Sequence, residues 1–313
     1  MPKLTRKRTI LLKSEASYGV DPSPTGSANA VLVKDLSVEP IQSDEVSRDL
    51  IKSYLGNYDV LLANQRASVS FTVELCASGT AGTECQYAPA LKAAGLAVTT
   101  VSATSNTYAP VSSSFASCSV YANIDGVNHA ITGCRGTFSI ACSVNEIPTI
   151  PFNLVGKYNA PADVTLPTCT YQKQADPVIF KNDNVTGFEI FGSSLALQAW
   201  SFDMNNDTVY RELVGTTATK EVLITDRKPS GSLEIEAPAL SAKNFFTIAT
   251  GSSTGSNKFT IDGGGAGKKI EISCPQTDIT TPTYGDSDNI VTLSLPFNAI
   301  PSSGNDELSI KYF

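Results

Sequence analysis

Residues Asp59–Leu75 read DVLLANQRASVSFTVEL, and the phrase returns without a gap at Glu221–Ala237 as EVLITDRKPSGSLEIEA. In the first version Val69, Phe71, Val73 and Leu75 alternate with Ser68, Ser70, Thr72 and Glu74. A period of two sends these sets to opposite faces of a strand, one buried and one wet. Val60, Leu61, Ser68, Ser70 and Glu74 recur as Val222, Leu223, Ser230, Ser232 and Glu236. More matches follow in the same order: Ile-Asp-Gly at Ile124 and Ile261, Cys134 and Cys274, and Pro-Phe-Asn at Pro151 and Pro296. Ala-Pro-Ala-Leu at Ala88 also recurs at Ala237, at a different distance from its strand. Collinear self-similarity predicts an internal duplication. The offset shrinks along the chain, so the first copy carries extra loop residues. The predicted organisation is an N-terminal arm (1–24), a first domain (25–160), a linker rich in proline and polar residues (161–176) and a second domain (177–313).

The chain has 313 residues, 41% of them apolar, and a formal net charge of −7. That composition is globular. The acidic balance disfavours wrapping nucleic acid, which needs clustered Lys and Arg. No run approaches the length of a membrane span. Basic residues cluster at Lys3, Arg6, Lys7, Arg8 and Lys13 around only a short apolar stretch, so no secretory leader is expected. Arg6, Lys7 and Arg8 read either as a solvated tail or as an arm that docks on an acidic neighbour. Seven cysteines at irregular spacing resemble neither a disulfide framework nor a zinc site.

Period-2 runs dominate, with Asp125-Gly126 marking a hairpin turn and Asp262–Gly267 a second one. Only Ala88–Val98 reads clearly as a helix, with Pro89 suited to its first turn and Gly95 to its end. Ser43–Gly56 is expected as an extended loop, because its counterpart in the later half is rich in threonine. The class is mainly β, with at most one short helix per domain.

The chemistry of catalysis is thin. His129 is the single histidine and alternates with Val127 and Ile131, as a strand residue would. It cannot build a multi-histidine metal site. Gly263–Lys269 lacks the spacing of a phosphate loop. Asp203, Asn205 and Asp207 begin like a calcium loop, but Thr208 and Val214 stand where glycine and glutamate are needed. Asp286 and Asp288 sit in a polar turn. No cofactor, metal or enzyme activity is expected.

The opening segment has Glu15, Tyr18, Gly19, Asp21, Pro22 and Pro24 in a Glu-x-x-Tyr-Gly-x-Asp-Pro-x-Pro phrase. Ala88–Leu96 and the closing phrase with Gly133, Arg135, Gly136, Glu146, Phe152, Gly156, Tyr158, Pro161 and Pro167 follow it. In this order they resemble the major tail tube proteins of long, flexible-tailed bacteriophages. The second half matches that family's opening phrases poorly. The resemblance implies β-sandwich or barrel-like tail-tube domains that assemble into rings with an inner β-barrel. The rings stack into the virion tail tube through which DNA leaves without specific binding. It also implies synthesis in the host cytoplasm and two further partners, a tape measure protein and a tail terminator.

Such rings present six tube domains of about four inner strands each, so about 24 strands at roughly 4.8 Å give a circumference near 115 Å. Strand tilt widens this, leaving a bore of about 30–40 Å, enough for a duplex. If each chain carries two tube domains, three chains close a pseudo-hexameric ring. Alternatively six chains close it and the second half decorates the outside. Ser70, Thr72 and Glu74, with Ser232, Glu234 and Glu236, are the candidate bore or ring-surface residues. Arg6, Lys7 and Arg8 are the candidate inter-ring arm. A β-rich surface adhesin or carbohydrate-binding module is the alternative of another class.

Overall fold

The computed structural model describes residues 2–215 and 220–313; the threonine-rich stretch at 216–219 lies outside the described residues. In the first half β1 (Arg8–Ser14), the single-turn α1 (Gly26–Asn29) and β2 (Ala30–Val31) precede a long hairpin of β3 (Lys34–Ser47) and β4 (Val60–Glu74). Then come α2 (Ala88–Ala93), a hairpin of β5 (Leu96–Val101) and β6 (Ser105–Pro110), and a hairpin of β7 (Cys118–Ile124) and β8 (Val127–Ser143). The half closes with β9 (Thr149–Lys157) and the short β10 (Ala162–Asp163).

The second half runs β11 (Val185–Ile190), β12 (Leu197–Asp203), β13 (Asn206–Glu212), β14 (Lys220–Arg227) and β15 (Ser230–Glu236). It continues with α3 (Phe245–Thr250), β16 (Thr254–Asp262), β17 (Lys269–Ile279), β18 (Thr283–Ser287), β19 (Ile290–Ala299) and β20 (Ser309–Tyr312). The order of parts follows that of the first half. Apart from the β5–β6 hairpin, which has no counterpart, a first strand (β1 or β11) precedes a long hairpin, then a short helix, a further hairpin (β7–β8 or β16–β17) and a closing strand beside the long hairpin (β9 or β19).

Local chemistry explains the punctuation. Asp125 and Gly126 both have positive φ (44° and 94°), as the tight β7–β8 turn requires. Gly95, at φ 86°, terminates α2. Asn244 caps α3 by accepting a hydrogen bond from the Thr247 amide at 3.0 Å. β4 is one strand of 15 residues, whereas its counterpart breaks into β14 and β15 at Pro229, which has no amide hydrogen to give a ladder. The partner strand breaks at the same level, where Asn205 takes a φ of 47°.

The 17-residue β8 organises the sheets. Its first part pairs with β7 and β10, and its last part with β9 and β12. A bulge between Thr132 and Arg135 lets it turn from one layer to the other. One layer of the first half is β2–β1–β7–β8–β10. The opposing layer runs β3–β4–β9–β8 and continues without interruption into β12–β15–β19–β18. The outer layer of the second half is β11–β16–β17–β20–β6–β5. Apolar faces meet between layers, as where Trp200 of β12 lies edge-on to Phe259 of β16 at 5.2 Å, and within the layer Phe71 stacks on its cross-strand partner Phe152 at 5.4 Å.

Three expectations need adjusting. The described residues form three short helices, and two of them, α1 and α2, lie in the first half. The helix expected over Ala88–Val98 ends at Ala93, and Leu96–Val101 is strand β5, because Gly95 closes the helix early. The stretch 1–24 is not all arm. Arg8–Ser14 is a strand paired to β7, with Ile10, Leu11 and Leu12 buried, because its apolar run fills the core edge. Among the described residues, no helix is long and apolar enough to cross a membrane.

Candidate functional site

Pairing places Ser70, Thr72 and Glu74 of β4 opposite Asn153, Pro151 and Thr149 of β9. Ser232, Glu234 and Glu236 of β15 lie opposite Pro296, Ser294 and Thr292 of β19. Directly paired residues share a face. The β8–β12 pairing, with Ala141 facing Ser201 and Ser139 facing Asp203, joins the two sets. All six candidates therefore lie on one face of a single eight-stranded sheet. The opposite face carries Val69, Phe71, Val73, Leu233 and Ile235, all buried.

The two Pro-Phe-Asn segments take the same place in this sheet, slipped by two residues against the repeated phrase. Ser70 faces Asn153, while its sequence counterpart Ser232 faces Pro296. An even slip keeps every side chain on its own face. A slip of one would have buried Glu234.

The polar face is made of small and acidic groups. Glu74 accepts an ion pair from Lys34 at 2.7 Å, and Thr292 donates to Glu234 at 3.2 Å. Glu236 is exposed. Ser201 and Asp203 of β12 belong to the same face and are not among the sequence candidates for it, Asp203 entering there only as part of a calcium-loop-like run. The alternation Ala199-Trp200-Ser201-Phe202-Asp203 carried the signal. Of the basic candidates, Arg6 and Lys7 are exposed ahead of β1, whereas Arg8 opens that strand and donates to the Leu36 carbonyl at 2.8 Å. His129 is half-buried on β8 opposite Ala122, and burial lowers its pKa. The seven cysteines are free thiols, and all but Cys169 are buried.

The β13–β14 hairpin lies over the first half, and a buried guanidinium fixes it there. Arg135 donates to the carbonyls of Phe115 (2.8 Å), Ala116 (3.2 Å) and Val222 (2.8 Å) and pairs with Glu221 at 3.0 Å. It also sits over the Tyr18 ring at 4.6 Å. The Tyr18 hydroxyl accepts the Val222 amide at 2.6 Å, and burial pushes its pKa up to about 12. Asn206 donates to the carbonyls of Ala94 (2.7 Å) and Gly136 (2.9 Å). Val222 is fully buried as a result.

The corresponding residues on the β3–β4 hairpin have no such cover. Val60, Leu61 and Leu62 are 45%, 55% and 49% exposed. Among the described residues, β3 pairs only with β4 in this eight-stranded sheet, and β18 only with β19. The sheet thus ends in two unpaired edges, one at each side.

A family model described as phage tail tube protein matches residues 5–299. A search of curated proteins gave no match.

Proposed function

The chain belongs to the phage tail tube protein family, and from that membership we propose how its copies make the tube. It is a structural protein of the virion tail that assembles with itself. In our reading, residues 25–160 and 177–313 are two tube domains, each giving four strands to an inner barrel. Three chains then supply about 24 strands and close a pseudo-hexameric ring. The observation that carries this reading is the continuous run β3–β4–β9–β8–β12–β15–β19–β18, eight inner strands with both edges open. Open edges of this length invite further pairing, and ring closure removes them. In a hexamer with the second half as outer decoration, that half would leave the sheet that β8 and β12 join.

The face with Ser70, Thr72, Glu74, Ser232, Glu234 and Glu236 lines the bore. Hydroxyls and carboxylates there repel a duplex that carries one charge per ~1.7 Å of axis, so DNA slides without being held. No catalytic step is needed. Arg6 and Lys7 reach the next ring, a tape measure protein occupies the bore before DNA, and a terminator caps the stack. Synthesis takes place in the host cytoplasm. The adhesin alternative has no comparable support.

The test is the rotational symmetry of purified tubes by electron cryo-microscopy, with the mass of an isolated ring. Three chains of 33.0 kDa per ring are expected. Six chains per ring would refute the two-domain reading.

A further inference from the structure

We infer that the seam between neighbouring copies repeats the seam that the chain makes within itself, with β3 and the exposed face of its hairpin seated on β18 and the closing strands of the next copy. This rests on the ring reading and adds the identity of both contacting surfaces.

The argument starts from a pair of equivalent surfaces in different states. Within the chain, β12 extends the sheet by pairing with the last part of β8, and the hairpin beyond it, β13–β14, covers Arg135 and Gly136. That cover buries Val222. The first-half counterpart of β12 is β3, and the counterpart of Val222 is Val60. Both lack a neighbour. Val60 and Leu62 share one face of the hairpin and Leu61, paired with Val46, lies on the other; all three are about half exposed, which leaves apolar surface there for a partner to cover.

The second half offers the matching seat. β17 and β18 stand to β19 as β8 stands to β9: Phe138 faces Phe152 and Ala141 faces Thr149, while Ile279 faces Phe297 and Thr283 faces Ser294. Thr283 is therefore the counterpart of Ala141, the residue that meets Ser201 within the chain. Beneath the hairpin, Arg135 and its partner Val155 correspond to Gln276 and Ile300, which are joined by an Ile300 amide to Gln276 carbonyl bond of 3.0 Å. Pro275 and Pro301 beside them are exposed. This surface carries no charge, and the hairpin face that would meet it pairs the apolar Val60 and Leu62 with Ser47 and a single carboxylate, Glu45. A second copy supplies it, and nothing else on the chain does.

Register follows from the same comparison. The repeated phrase sets Ser37 against Thr283, and the Pro-Phe-Asn pairing sets Lys34 there. Both lie on the polar face, either side of a bulge in β3. The seam between copies differs in one respect. Gln276 replaces the guanidinium, so the seam holds by main-chain bonds and apolar contact, and it resists salt.

Cysteine cross-linking tests this in assembled tubes. Thr283→Cys is combined with Ser37→Cys or with Lys34→Cys, tubes are confirmed by microscopy, and mild oxidation is followed by denaturing electrophoresis. An antiparallel neighbour pair lies about 4.5–5.5 Å apart at Cα, within disulfide reach. At least one pair should give covalent ladders ending at the trimer, while Thr283→Cys with Ser47→Cys should give none. In parallel, Val60→Asp with Leu62→Asp, on the face equivalent to Val222, should abolish tubes yet leave a folded monomer with unchanged circular dichroism. Tubes that form with both near pairs reduced, or that form from the aspartate variant, overturn the seam and leave the ring reading standing. Should a cysteine variant fail to fold, a map of the unmodified tube decides, and a Thr283 more than about 10 Å from both Lys34 and Ser37 refutes the seam. If the unmodified chain forms no tube or ring, both readings fall.

Discussion

Replacing Arg135 by methionine should loosen the join between the two halves. Methionine keeps most of the stem volume but removes every donor. Three carbonyls, on Phe115, Ala116 and Val222, lose their partner, and Glu221 retains only Arg211 at 3.4 Å. The Arg135 side chain is 8% exposed, so water cannot substitute well there. Removing one member of a buried pair costs about 3–5 kcal/mol. Glu221, at 22% exposure, recovers some hydration, which brings the figure to about 3 kcal/mol. The assay is urea unfolding of the unassembled chain, followed by the fluorescence of Trp200, which is buried on β12 at the join. Glu221→Gln alone should cost about 1 kcal/mol, and the double variant should show a coupling of about 1–2 kcal/mol. An Arg135→Met chain within about 0.5 kcal/mol of the parent would show that the guanidinium is not what fixes β13–β14 to the first half.

The repeated phrase permits a matched pair of substitutions. Val222→Ala should destabilise the unassembled chain by about 2 kcal/mol and Val60→Ala by well under 1, read by the same unfolding assay; equal costs would contradict the difference in cover. Asp262 is held below its ordinary carboxylate value by the Lys269 ammonium at 2.6 Å and then by the Gly264 amide. Its contribution is complete above that ordinary value and fades as the pH falls below about 4, so Asp262→Asn should flatten the acid limb of stability. A parallel pH profile would rule this out. Changing Glu74, Glu234 and Glu236 together to lysine should leave tube diameter unchanged but make tubes retain DNA in a salt-dependent way. Tubes that stay indifferent to DNA would remove these residues from the bore.

The face assignment was legible because it depends on a period of two, which side chains report directly. Val69, Phe71 and Val73 had to go one way and Ser70, Thr72 and Glu74 the other. The turns were legible for a related reason, since Asp125-Gly126 has few other uses between two alternating runs. The join was not legible. β8 and β12 meet through main-chain bonds, and such bonds leave almost no trace in residue type, so nothing in Ser139–Ser143 names Ala199–Asp203 as its partner. The break at Pro229 could have been noticed. It stands at the position of Ala67, and proline cannot serve a ladder on both sides. Its consequence is geometric: freed from the sheet, β13–β14 swings across the first half, and the burial of Val222 follows.

The contrast between Val60 and Val222 also carries information that no single structure element does. Two copies of one phrase in one chain should need the same surroundings. The second copy has them, in Arg135, Tyr18 and the strand beneath. The first copy has the same Val-Leu-aliphatic run about half exposed, with only an open cleft between Leu62 and Val209–Tyr210 of β13. A lone folded chain gains nothing from keeping Leu61 and Leu62 apolar, since exposed apolar side chains favour aggregation. On the proposed seam the missing surroundings arrive with another copy, at the β17–β19 end that corresponds to β8–β9. A free edge at each side and a worked example of their union in the middle are what the proposed closed ring would need, which is why the apolar hairpin residues and the open β18 edge have to be explained together.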